Sequence, residues 1–237
     1  MKNTGRSLET YLKRYVGWLK NLEITVLFTL LCLVAGSWVF IEIADEIRET
    51  DQLHFDTILL DYIRATSAAG EIKGPDWLPA SMEEITALGG ITIICVAATI
   101  TIIFLLVLGR YQTAMVMFCS SFGGIGLSFA LKYLFARPRP DESLHMVMTE
   151  TFSFPSGHAM SSAVVYLSLA GLLAKVQRQR NVKIFTLAVA VLLVFLIGIS
   201  RIYLGVHYPT DVLGGWSVGL AWASFWLLID KIFTKEQ

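Results

Sequence analysis

Six stretches of this chain are dominated by apolar residues over lengths that only a helix can use economically: Leu22–Ile41, Ile85–Leu108, Gln112–Phe135, Ser156–Ala174, Ile184–Ile199 and Val212–Ile229. A run of about 20 residues spans roughly 30 Å as an α-helix, which is the thickness of a bilayer core. Inside hydrocarbon every backbone N–H and C=O must be paired within its own segment, so such runs fold as helices. A chain of 237 residues that is 55% hydrophobic and 16% charged carries more apolar surface than one soluble core of that length can bury. The expectation is an all-α integral membrane protein, a single domain over residues 1–237 with six transmembrane helices.

Charge then orients the helices. The 19 Lys and Arg balance the 19 Asp and Glu, so net charge offers no reason to expect a nucleic-acid partner. Their distribution is uneven. Lys2, Arg6, Lys13, Arg14 and Lys20 lie before the first run, Arg110 in the turn after the second, Lys175, Arg178, Arg180 and Lys183 between the fourth and fifth, and Lys231 and Lys235 after the sixth. With six spans all these segments share one side, which the positive-inside rule makes cytoplasmic. Both termini are therefore expected in the cytoplasm and the protein in the plasma membrane. Residues 42–84 are acidic and belong outside. Within them Leu53, Phe55, Ile58, Leu59, Tyr62 and Ile63 recur at near-helical spacing, which suggests an interfacial helix with a packing role. The aromatic and apolar residues interleaved with the N-terminal charges suggest a surface-lying helix there.

Other features read as structural. Cys32, Cys95 and Cys119 lie inside apolar runs, far apart and odd in number, so they are expected as buried thiols. Gly123-Gly124-Ile125-Gly126 lacks the flanking strand and the Lys of a phosphate loop and suits close helix packing. The small residues Val34-Ala35-Gly36-Ser37 resemble a cleavage site, yet the apolar run continues past them, so a retained helix is expected. His54 and His145 have no acid at fixed spacing.

Four cations break the topological pattern together: Lys132, Arg137, Arg139 and Arg201, at the outer ends of spans three and five. An arginine in hydrocarbon costs roughly 2.5–3.5 kcal/mol on insertion scales, so a cluster there asks for an anionic partner. Three segments converge at that face: Lys132 to Pro140, Pro155-Ser156-Gly157-His158, and Ser200-Arg201 followed by His207 and Asp211. Lys132 with Arg139-Pro140 seven residues on, the Pro-Ser-Gly-His tetrad, and Ser-Arg with His and Asp at these spacings match a three-part signature. The chain thereby resembles the type 2 phosphatidic acid phosphatase superfamily, in particular its bacterial membrane branches acting on phosphatidylglycerophosphate or undecaprenyl pyrophosphate. Soluble vanadium haloperoxidases share the motifs but have no spans.

The resemblance implies hydrolysis of a lipid phosphate or pyrophosphate through a phosphohistidine intermediate. The residue chemistry agrees. Phosphoryl transfer needs an in-line nucleophile, a proton for the leaving oxygen and positive charge around the equatorial oxygens. His207 is the candidate nucleophile, and Asp211 can hold its other ring nitrogen as a donor. His158 is the candidate general acid. Lys132, Arg139 and Arg201 supply charge, and the N–H groups of Ser156 and Gly157 at a helix start add donors. With these groups no metal or other cofactor is expected. Arg137 stands outside the strict motif and reads equally well as a lipid-phosphate ligand or as an anchor of span three. Two other classes share the pattern: a lipid-phosphate transporter, and a phosphotransferase passing the phosphoryl group to an alcohol.

Overall fold

The computed structural model describes residues 24–50, 53–63, 75–149 and 151–233; the surface helix expected among residues 2–20 lies outside them. The described elements are all helical: α1 (Ile24–Glu49), α2 (His54–Ile63), α3 (Leu78–Ala87), α4 (Ile91–Val107), α5 (Tyr111–Phe135), a 3-10 turn at Glu142–Leu144, α6 (Gly157–Val176), α7 (Arg180–Tyr203) and α8 (Pro209–Phe233). Helices α1, α5, α6, α7 and α8 are each long and apolar enough to cross a bilayer, and α3 with α4 makes a further candidate bent by 43°. Their outer faces carry exposed Leu31, Val34, Trp38, Ile100, Phe104 and Phe185. Such side chains suit contact with lipid, not water. The chain is an all-α, multi-pass membrane protein.

Helices α6 and α8 form the centre, with α1, α5 and α7 packed around them. They approach closely because α8 presents Gly215 and Gly219 one turn apart: a Cβ on Gly215 would lie 2.7 Å from the Ser156 carbonyl oxygen, and one on Gly219 would lie 2.8 Å from that of Met160. The glycines of α5 behave as packing residues in part. Gly123 and Gly124 lie against Trp222, and Gly124 also against Val164, whereas Gly126 has open space beside it. The three cysteines are half-buried, not buried as expected, because their helices each turn one face to the lipid.

Two boundaries differ from the expected ones for physical reasons. The acidic stretch does not begin as a loop: α1 continues to Glu49, with Ala44 and Ile47 buried against Phe154 while Asp45 and Glu46 remain exposed. Local acidity hid a three-residue apolar period. The expected second span is interrupted at residues 88–90, where Gly90 takes extended backbone angles (φ −66°, ψ 145°) and caps α4. A Cβ on Gly89 would lie 2.5 Å from Ile197 Cγ2 and 3.3 Å from His158 Cβ, so the break lets α3 lie on α7 beside the start of α6. Helix α2 lies in the acidic segment, and one residue of the buried stripe there is a carboxylate: Leu53, Asp56 and Leu60 are all buried.

Candidate active site

Two chain reversals, after α5 and between α7 and α8, bring polar segments to one end of the bundle. Helix α5 stops at Ala136, which adopts a left-handed conformation (φ 47°) and donates its N–H to the Lys132 carbonyl, turning Arg137 and Arg139 back over the bundle. Helix α7 stops at Tyr203, and Gly205 at φ 73° supplies the sharp turn that a Cβ would strain. Pro209 then opens α8, where its missing N–H and fixed φ suit the first turn. His207 is held between the two helices and is 1% exposed.

The orientation of His207 is set on both sides of its ring. Nδ1 lies 3.4 Å from Asp211 Oδ2 and 3.4 Å from Ser153 Oγ, while Nε2 lies 3.3 Å from Arg139 Nη1. A guanidinium can only donate, so Nε2 is the acceptor and the ring proton belongs on Nδ1, facing Asp211. Burial pushes the imidazole well below its ordinary pKa, and the positive charges of Arg139, Lys132 and Arg201, with His158 beyond them, push the same way. A neutral ring with its Nε2 lone pair toward cations is an arrangement that can attack phosphorus.

Asp211 is fully buried and saturated with donors. Its Oδ2 accepts from the Tyr208 N–H at 2.8 Å and the Ser153 hydroxyl at 2.5 Å, and its Oδ1 accepts from Arg137 Nη1 at 2.7 Å. Arg137 therefore faces inward to Asp211, not outward to a lipid headgroup, and its guanidinium stacks 4.5 Å from the Tyr208 ring centroid. Its Nη2 donates to Asp56 Oδ2 at 2.8 Å.

The other cations lie around His207, close enough for their charge to act on it. Lys132 Nζ donates to the Phe152 carbonyl at 2.5 Å, and Arg139 donates from Nε to the Thr151 carbonyl and from Nη1 to the Val206 carbonyl, both at 2.6 Å. Arg201 donates from Nη1 to Thr86 Oγ1 at 3.0 Å. Its Nε and the Ser156 hydroxyl are buried with no hydrogen-bond partner among the described residues. Buried donors of this kind are expensive unless a ligand completes them.

Ser156 and Gly157 differ in what they offer. The Ser156 N–H is already given to the Asp211 carbonyl at 2.9 Å, so of its two donors only the hydroxyl is left uncommitted, not the backbone N–H that its helix-start position suggested. Gly157 keeps the start of α6 close to Lys132: a Cβ there would lie 3.4 Å from Lys132 Cε. His158 is half-buried in the first turn of α6 and near enough to His207 to bear on its charge. His145 lies outside the cluster, its Nε2 3.1 Å from the Pro140 carbonyl, and His54 is exposed at the start of α2.

Sequence reasoning missed Asp56, Thr86, Ser153 and Thr210 and left Arg137 undecided. Asp56 had a signal, a charge on the apolar stripe of α2 between Leu53 and Leu60. Ser153 and Thr86 had none, because only folding brings them to charged groups far away in the chain.

Comparison with known proteins places this geometry. The chain is 46% identical over 99 residues to phosphatidylglycerophosphatase B of Bacillus subtilis, covering 40% of this chain and 46% of that protein. It is 34% identical over 101 residues to the undecaprenyl-diphosphatase of Sulfolobus acidocaldarius, covering 40% and 43%. The chain thus spans about half the length of these two relatives. A crystal structure described as the first transmembrane PAP2 type phosphatidylglycerolphosphate phosphatase from Bacillus subtilis superposes with a TM-score of 0.75 at 30% identity, covering 87% of this chain and 100% of that one. Residues 113–234, more than half of the chain and including every residue of the cluster from Lys132 to Asp211, match the model of the PAP2 superfamily, and the chain belongs to that family.

Proposed function

We propose that this protein is a membrane lipid phosphatase that hydrolyses a lipid phosphate or pyrophosphate by way of a phosphohistidine. The observation that carries the reading is the placement of His207, with Nδ1 3.4 Å from Asp211 Oδ2 and Nε2 3.3 Å from Arg139 Nη1, which suits a ring that keeps its proton on Nδ1 and its lone pair on Nε2. In the proposed reaction Nε2 attacks phosphorus and the P–O bond to the lipid breaks, with His158 giving its proton to the departing oxygen. Asp211 stabilises the cation that forms on His207. Water, deprotonated by His158, then attacks the phosphohistidine; the P–N bond breaks, inorganic phosphate leaves and both histidines return to their starting states.

Lys132, Arg139 and Arg201 would neutralise the phosphoryl oxygens, with the Ser156 hydroxyl and the start of α6 at Gly157 adding donors. The carbonyls of Thr151, Phe152 and Val206 now hold part of this charge and would yield it to a phosphate, a stronger acceptor. No metal enters this scheme. The relatives named for phosphatidylglycerophosphate and undecaprenyl diphosphate support two candidate substrates, giving phosphatidylglycerol or the polyprenyl monophosphate. Residues 1–237 would act as one unit of six spans, counting the bent α3–α4 pair as one. Both termini would be cytoplasmic in the plasma membrane, with the site at the outer interface and α2 lying over it.

The test is inorganic phosphate release by purified protein in detergent from phosphatidylglycerophosphate, undecaprenyl pyrophosphate, phosphatidic acid and a short soluble phosphate ester, with and without a competing alcohol. Hydrolysis of one or more of the lipids supports the reading, and the ranking assigns the headgroup. A phosphorylated alcohol as the main product points to a transferase, and binding of the lipids without turnover points to a transporter.

A further inference from the structure

Asp56 is the residue that the proposed reaction does not use and the packing does not require. It is 0% exposed on α2, a helix already anchored by Leu60 against Ala159, Ile202, Tyr208 and Val212, and by Leu53 beside Phe154. A carboxylate in such a place is costly unless every lone pair is met. Here both oxygens are engaged, by Thr210 and Arg137: Oδ1 accepts the Thr210 N–H at 2.9 Å, and Oδ2 accepts the Thr210 hydroxyl at 2.6 Å and Arg137 Nη2 at 2.8 Å.

From the proposal that His207 is the nucleophile, we infer that Asp56 is a positioning residue of this enzyme, orienting His207 through Arg137 and Asp211. The chain of contacts is continuous. Asp56 fixes one end of the Arg137 guanidinium and the Tyr208 ring fixes its face, so its other end meets Asp211 Oδ1 at 2.7 Å. With Oδ1 engaged there, Oδ2 remains turned toward the Tyr208 N–H, the Ser153 hydroxyl and His207 Nδ1. Asp56 also divides the positive charge of Arg137. Alone with Arg137, Asp211 would face a full guanidinium and be a weaker acceptor for the imidazole N–H. Because α2 lies 154 residues from Thr210 in sequence, the acidic outer segment and the motif-bearing helices become one catalytic assembly.

The prediction separates positioning from packing. Asp56→Asn keeps the shape but removes the charge and one acceptor, so kcat for the fastest lipid of the panel should fall roughly 10- to 100-fold, as small misplacements of reacting groups do. KM should change less than about threefold, since Lys132, Arg139 and Arg201 are untouched. Leu60→Ala, which truncates the apolar anchor of the same helix, should lower the melting temperature while leaving kcat within about threefold at temperatures where the protein is folded. In 15N-histidine-labelled protein, His207 should report a single Nδ1–H tautomer in the wild type and a mixture in Asp56→Asn. An unchanged kcat and tautomer in Asp56→Asn, an effect carried by KM, or an equal kcat loss in Leu60→Ala overturns the inference. If the wild type turns over none of the lipids, the phosphatase reading fails by itself, and the tautomer comparison still decides the Asp56 linkage.

Discussion

The backbone of Ser156 is held against α8: its N–H donates to the Asp211 carbonyl at 2.9 Å, and its carbonyl oxygen lies so near Gly215 that a Cβ there would come within 2.7 Å. The start of α6, carrying His158, is thereby fixed to the start of α8, carrying Asp211. The proposed acid and the proposed support of the nucleophile are held by backbone, which has no rotamers to lose.

Gly215→Ala should disturb this grip directly. The neighbours are the Ser156 carbonyl oxygen, the Ala159 Cβ and the Met160 nitrogen, none of which can swing aside, so the helices must separate by several tenths of an ångström. Overpacking of this kind costs typically about 1–3 kcal/mol. Thermal unfolding in detergent should show a lowered midpoint together with a reduced kcat. A variant as stable and active as wild type would mean that α6 and α8 are not in this contact.

His207→Ala should abolish phosphate release, with a loss on the order of 10³-fold or more if the imidazole is the nucleophile, since no neighbour can substitute for it. The protein should still insert and run as a single species, because the cavity left is small and bordered by polar groups. Phosphate release near the wild-type rate in a properly folded sample removes the covalent mechanism.

Asp211→Asn tests the orienting carboxylate. The amide can present a donor to Nδ1, which favours the tautomer with the proton on Nε2 and takes away the attacking lone pair; the comparable substitution in a catalytic triad lowers turnover by about 10⁴. It also leaves Arg137 with one fewer charged partner. We expect kcat to fall by roughly 10²- to 10⁴-fold, measured by steady-state phosphate release, and a loss smaller than tenfold would argue that Ser153 alone orients the ring.

The pH profile follows from the burial of His207. Its pKa is held well below the ordinary value of about 6.5, first by desolvation and then by the adjacent cations, so the ring keeps its lone pair as the pH falls through that value. After correction for ionisation of the substrate, kcat/KM should not begin to fall on the acid side of 6.5, because the acid limb, which reports the attacking imidazole, should lie lower. Stability moves with the same sign: the unfolded chain binds this proton below about 6.5 and the folded one does not, so the folded state loses stability as the pH is lowered. An enzyme-derived acid limb centred at the ordinary histidine value contradicts the buried, cation-flanked ring.

Chelation provides the last test. If Lys132, Arg139 and Arg201 carry the charge stabilisation, phosphate release should survive dialysis against a strong chelator with less than about a twofold change. Strict restoration by a divalent ion would assign that role to a metal instead.

The sequence by itself determined the class of fold and singled out the residues proposed to meet phosphate. Bilayer thickness fixes helix length, and the cost of charge near hydrocarbon marks Lys132, Arg139, Arg201, His207 and Asp211 wherever they occur. It did not reveal the extension of α1 to Glu49, whose apolar period is local but overlaid by acidic residues, nor the break at Gly89–Gly90, whose cause is contact with Ile197 and His158. Only tertiary structure decided the direction in which Arg137 points, the partner taken by the Ser156 N–H, and the meeting of Asp56 with Thr210. These are contacts between segments far apart in the chain. Hydrogen bonds are directional and side chains have several rotamers, so the pairing of buried donors and acceptors exists only once the helices are placed.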